Sequence, residues 1–101
     1  MLFAFSVAPT QSADESGSVS AAIADAIRVV RDSGLPYELT SMFTTIEGGW
    51  DEVMPVVKAA CDAVAHHSPR VSLVLKADLR SGYAGQLTEK VDRVNAYLSN
   101  D

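Results

Sequence analysis

Between Arg70 and Arg80 the chain alternates almost without exception. Val71, Leu73, Leu75, Ala77 and Leu79 share one parity, and Ser72, Val74, Lys76, Asp78 and Arg80 share the other. A period of two belongs to a strand with one face on a core and the other turned away from it. Such a strand needs partner strands and a covering layer, which excludes an all-helical bundle. Two more segments read as extended. The apolar run Leu2–Ala8 is stopped by Pro9. Tyr37–Glu47 is rich in β-branched and aromatic residues and long enough for two short strands with a reversal near Thr40–Ser41.

Three segments carry the helical period. Val19, Ile23, Ile27 and Val30 form the first stripe, with Ser18 or Ser20 placed to cap it and Gly34 and Pro36 to stop it. Trp50, Val53, Val57, Cys61 and Val64 form the second, with Pro55 in its opening turns, where a missing N–H costs least. Leu87, Val91, Val94 and Leu98 form the third, and Glu89 and Arg93 are spaced for an i,i+4 pair. The order β-α-β-β-α-β-α, with right-handed crossovers, predicts an α+β chain. It is a ferredoxin-like βαββαβ sandwich with an antiparallel four-stranded sheet in the order 4-1-3-2 and an extra C-terminal helix. At 101 residues, one domain over 1–101 is expected.

Charge narrows the partners. Eight Lys and Arg against thirteen Asp and Glu give a formal charge of −5, which argues against a nucleic-acid partner, because that affinity comes from cations displacing phosphate counterions. No segment is apolar for the roughly 18 residues a membrane helix needs, so no membrane partner is expected. The N-terminal run has no basic flank, so a cytoplasmic location is the expectation. The single cysteine, Cys61, permits no internal disulfide and reads as a small core hydrophobe. His66-His67 falls at a helix end without a third ligand, so no metal is expected there. Gly82 and Gly85 lack the spacing and lysine of a phosphate loop. No cofactor is expected, and no catalytic signature is present.

In a sandwich of this kind both crossover helices cover one sheet face and leave the other open. Parity assigns Phe3, Phe5, Val7, Met42 and Ile46 to the covered face. Ser6, Phe43, Thr45, Glu47, Lys76 and Asp78 fall on the open one, around an apolar patch of Leu2, Ala4, Phe43 and Val74. That mixture reads as a dimer interface with a ligand-sized polar centre. The plainer alternative is threonines chosen for strand propensity and a Lys76/Asp78 pair that decorates a solvated edge.

The Ser6-Val7-Ala8-Pro9 strand end, the Ser18-Val19-Ser20 helix start and Met42-Phe43-Thr44-Thr45-Ile46-Glu47-Gly48 are followed by Lys76-Ala77-Asp78-Leu79-Arg80. Together they resemble the thiamine-binding protein family of small, YkoF-related ferredoxin-like proteins, in order and spacing over nearly the whole chain. The resemblance implies a homodimer or homotetramer joined through sheet faces. It also implies non-catalytic binding of thiamine or its hydroxymethylpyrimidine moiety. The residues it points to as ligand-binding are Ser6, Ser18, Ser20, Phe43, Thr44, Thr45, Glu47, Lys76 and Asp78. The chemistry suits such a ligand: a carboxylate can accept from the exocyclic amine, hydroxyls can meet ring nitrogens, and Phe43 or Trp50 can face a cationic ring. Lys76 paired with Asp78 or Glu47 would hold the carboxylates ionised. Two other classes remain open: a cofactor-free enzyme using Asp78 or Glu47 as general base, and a purely structural or regulatory interaction module.

Overall fold

The computed structural model describes residues 1–10 and 19–99. It contains β1 (Leu2–Pro9), α1 (Ser20–Asp32), β2 (Tyr37–Leu39), β3 (Thr44–Glu47), α2 (Trp50–Ala65), β4 (Val71–Asp78) and α3 (Gln86–Leu98). The strands form one antiparallel sheet in the order β2-β3-β1-β4, the ferredoxin-like arrangement expected from the sequence.

Register fixes the faces. Phe3 lies opposite Ile46 and Ala77, and Phe5 opposite Thr44 and Leu75, so this parity faces the helices. Phe3, Phe5, Val7 and Ile46 are buried there against Val53, Val57, Ala60 and Val64 of α2 and Ala22, Ala26 and Val30 of α1. Trp50 closes one end, its ring edge-on to Phe3 at 5.9 Å between centroids. Gly48-Gly49 leads into α2, with Gly49 as its N-cap. The Glu52 carboxylate accepts the Gly49 N–H at 3.0 Å, and a Cβ on Gly48 would stand 2.9 Å from Val53 Cγ2.

The inward face of α1 differs from the expected stripe. Ala22, Ala26 and Val30 point at the core, and Ile23 and Ile27 lie on the flank, only half-buried. The reason is steric: two helices side by side on one sheet meet through small residues, here Ala22 and Ala26 on α1 and Ala60 on α2, and the bulkier isoleucines rotate outward. The cap also differs, since Val19 holds the N-cap position without a side-chain bond.

Met42 is a second correction: it is 74% exposed rather than in the core. β3 begins only at Thr44. Before it, Thr40 N and Oγ1 both donate to the Phe43 carbonyl, at 2.9 and 2.7 Å, so residues 40–43 form a turn in which strand parity does not apply.

A polar tie joins the two core helices. His67 Nε2 lies 2.6 Å from Asp25 Oδ2, and Arg28 pairs with the other oxygen of the same carboxylate. These partners, His67 first, hold the Asp25 carboxyl below its usual range. A carboxylate with a depressed folded pKa contributes stability above its unfolded pKa and loses it as pH falls through the folded value. Asp25→Asn is therefore expected to be less stable than the parent at neutral pH. The two urea midpoints should converge as pH drops below the carboxylate range, and a gap independent of pH would refute the assignment.

Candidate functional site

The open face is only partly open, because α3 leans over one end of it. Gly85, with φ +72°, turns the chain into α3, and the first helical N–H, that of Gln86, donates to Glu47 Oε2 at 2.9 Å. Glu47 is buried, and its carboxylate serves as a remote cap for α3. Asp78 pairs with Lys90 of α3, which holds the Asp78 carboxyl below its usual range through the hydrogen bond first and the charge second. The partner anticipated for Asp78 was Lys76. Lys76 stands opposite Ala4, exposed and without an ion pair among the described residues. Arg80 lies 3.5 Å over the Tyr83 ring in the connection to α3. Glu89 and Arg93 do not bond each other. Both meet the Gln86 amide, Nε2 donating to Glu89 and Oε1 accepting from Arg93 at 2.8 Å.

These bonds seat α3 without burying its stripe. Gln86 is the only buried residue of α3, while Val91, Val94 and Leu98 are exposed. Between this helix and the sheet lies a groove of about 380 Å³, lined by Leu2, Glu38, Thr45, Gln86, Leu87, Lys90, Val91, Val94 and Asn95.

A second groove, of about 240 Å³, lies on the helix side at the other end of the sheet. Its walls are Phe5–Ala8 of β1, Val19, Ile23 and Ile27 at the head of α1, and Leu39–Thr44 at the β2–β3 turn. It exists because β1 outruns β3. Pairing with β3 ends at Phe5↔Thr44, while pairing with β4 continues to Pro9↔Val71. No described strand pairs with Ser6–Ala8 on the β3 side, and backbone N–H and C=O groups alternate in direction along a strand. The edge of β1 therefore contributes peptide groups to the groove.

Thr44 is the distinctive side chain there. It is 5% exposed, on the core parity opposite Phe5, and it lines the groove. A hydroxyl on the wall of an otherwise apolar groove can donate to or accept from a ligand seated there.

The sheet thus divides the nine residues singled out from the sequence. Ser6, Phe43 and Thr44 line the groove at the head of α1, and Ser20 is the first residue of that helix. Thr45 lines the groove beneath α3, and Glu47 and Asp78 hold that helix in place. Lys76 shares the open face with them, and Ser18 lies outside the described residues. Thr44 and Glu47 are three residues apart along β3, about 10 Å at roughly 3.3 Å per residue. The lining by Ile23, Ile27 and Leu39 escaped the sequence reading. Its only signal was the i,i+4 spacing of two isoleucines, which core packing explains equally well.

The residues that carried the resemblance therefore fall into two structural groups, and comparison with known proteins supports it. A profile of the family described as thiamine-binding protein matches residues 3–95. The UPF0045 protein Mb1933 of Mycobacterium bovis is 50% identical over 99 residues, covering 97% of this chain and 94% of the relative. Among solved structures, the hypothetical protein MJ1052 of Methanocaldococcus jannascii superposes with a TM-score of 0.81 at 28% identity, covering 93% of this chain and 94% of that one. TM0486 of Thermotoga maritima, described as a candidate thiamine biosynthesis/salvage protein, superposes with a TM-score of 0.75 at 29% identity, covering 92% and 96%. With the family profile spanning almost all of its length, this chain belongs to the thiamine-binding protein family.

Proposed function

We propose that the chain binds thiamine through its aminopyrimidine, or the free hydroxymethylpyrimidine, in the groove at the head of α1, and performs no chemistry on it. The observation that carries this reading is the groove itself, where the Thr44 side chain stands beside the stretch Ser6–Ala8 of β1 that no described strand pairs on that side. A flat ring with donors and acceptors on one edge is the kind of ligand that strand peptide groups and a fixed hydroxyl can pair with, while Ile23, Ile27 and Phe43 cover its faces. The groove is smaller than the 300 Å³ or so at which drug-sized pockets begin, which favours a single ring over a larger ligand. Binding without catalysis is favoured because Glu47 and Asp78, the two carboxylates considered as bases, are already bonded to α3.

The reading includes a cytoplasmic homo-oligomer. Support for the oligomer is the exposed row Val91, Val94 and Leu98 on α3 together with the exposed Val74 on the sheet, apolar surface of the kind that marks an interface.

Calorimetric titration with hydroxymethylpyrimidine up to millimolar concentration tests the ligand. Binding should give heat and raise the melting midpoint by mass action. Thr44→Val, which keeps the shape and removes the hydroxyl, should weaken binding roughly tenfold, the worth of one hydrogen bond. Neither heat nor a midpoint shift with the parent protein would overturn the assignment. Unchanged affinity in Thr44→Val would move the ligand elsewhere.

A further inference from the structure

From the distribution of charge, we propose that this groove holds its ligand only in the unphosphorylated form and discriminates against phosphate esters of the same ring. The inference rests on the ligand reading above and adds to it the chemical form of the ligand.

The starting point is where the cations are. The chain has eight Lys and Arg, and none lines the groove. Arg28, Arg31, Lys58 and Lys90 are in ion pairs with Asp25, Asp32, Asp62 and Asp78. Arg80 lies over Tyr83, and Arg93 donates to Gln86. The two that remain are misplaced for the task. Arg70 leads into β4, on the opposite edge of β1 from the groove, and Lys76 projects from the open face of the sheet, whereas the groove is on the helix side.

A phosphate monoester brings about −1.5 to −2 charges at neutral pH and three strong acceptors. Moving it out of water without a cation or a set of donors is expensive. The head of α1 offers about half a positive charge at most. Against that stands a protein with net charge −5. The same features cost a neutral pyrimidine nothing and attract a cationic thiazolium. The discrimination thus comes from absent counter-charge rather than from a steric wall, since the groove is open to solvent along the exposed Leu39 and Met42 side.

The test compares matched probes on the full chain: hydroxymethylpyrimidine with its phosphate, and thiamine with thiamine diphosphate, by calorimetry at fixed ionic strength. Each phosphorylated probe should bind at least tenfold more weakly than its parent. Met42→Lys, which places a cation on the rim, should narrow that ratio. Equal or tighter binding of the phosphorylated probes overturns the inference and leaves the ligand reading standing. Binding of none of the four overturns both. A ratio unmoved in Met42→Lys, with the tenfold gap present in the parent, assigns the gap to shape and overturns the charge argument.

Discussion

Truncating Phe3 to alanine should remove about 3–5 kcal/mol of folding stability, the cost of deleting a fully buried aromatic ring. Phe3 sits at the centre of the sheet with no exposed surface, flanked by Ile46 on β3 and Ala77 on β4, and carries Trp50 on its edge. A chain of this size has roughly 5–15 kcal/mol in total, so the variant should lie near the limit of folding at ambient temperature. Urea titration is the appropriate measurement: the midpoint should fall sharply with the slope unchanged. A loss below about 1 kcal/mol would mean that Trp50, which is half-exposed, collapses into the vacated space.

Replacing Glu47 has a different and more local consequence. Its carboxylate is buried and accepts the first N–H of α3, a charge-assisted bond worth about 1.5–3 kcal/mol, and in Glu47→Ala the Gln86 N–H loses its acceptor. Because α3 buries so little apolar surface, that loss should be concentrated in this helix. Amide hydrogen exchange across Gln86–Leu98 should accelerate by one to two orders of magnitude, on the scale of about 1.4 kcal/mol per tenfold, while α1 and α2 keep their protection. Glu47→Gln preserves a neutral acceptor and should recover part of it. Unchanged exchange in Glu47→Ala would show that Asp78–Lys90 and the groove contacts suffice to seat the helix.

The element order and sheet order were legible because three features agreed: alternation in 71–79, stripes of helical period, and Gly or Pro at the breaks. The covered face of β1 was legible for the same reason, since parity has only two outcomes once a strand is known. What could not be read was everything that depends on where one element ends relative to another. Met42 kept its parity on paper, but the turn closed by Thr40 ends the alternation before it reaches the strand. The apolar stripe of α3 looked like any other, yet a stripe does not say whether its own chain covers it. Glu47 and Asp78 were legible as unusual residues on a shared face. Their engagement with Gln86 and Lys90 required the path of the final connection, which no periodicity encodes. The tie between Asp25 and His67 spans 42 residues and follows from helix packing alone.

The two rims of the sheet are unequal. One is β2, three residues long, and the other is β4, eight residues long and unaccompanied on its outer side by any described strand. Recruitment of a foreign strand requires a run of free peptide groups, and very short rims are a recognised protection against it. Unwanted polymerisation of this protein would therefore be one-sided. The long rim carries Lys76, exposed and without an ion pair among the described residues, a charge of the kind that discourages such templating.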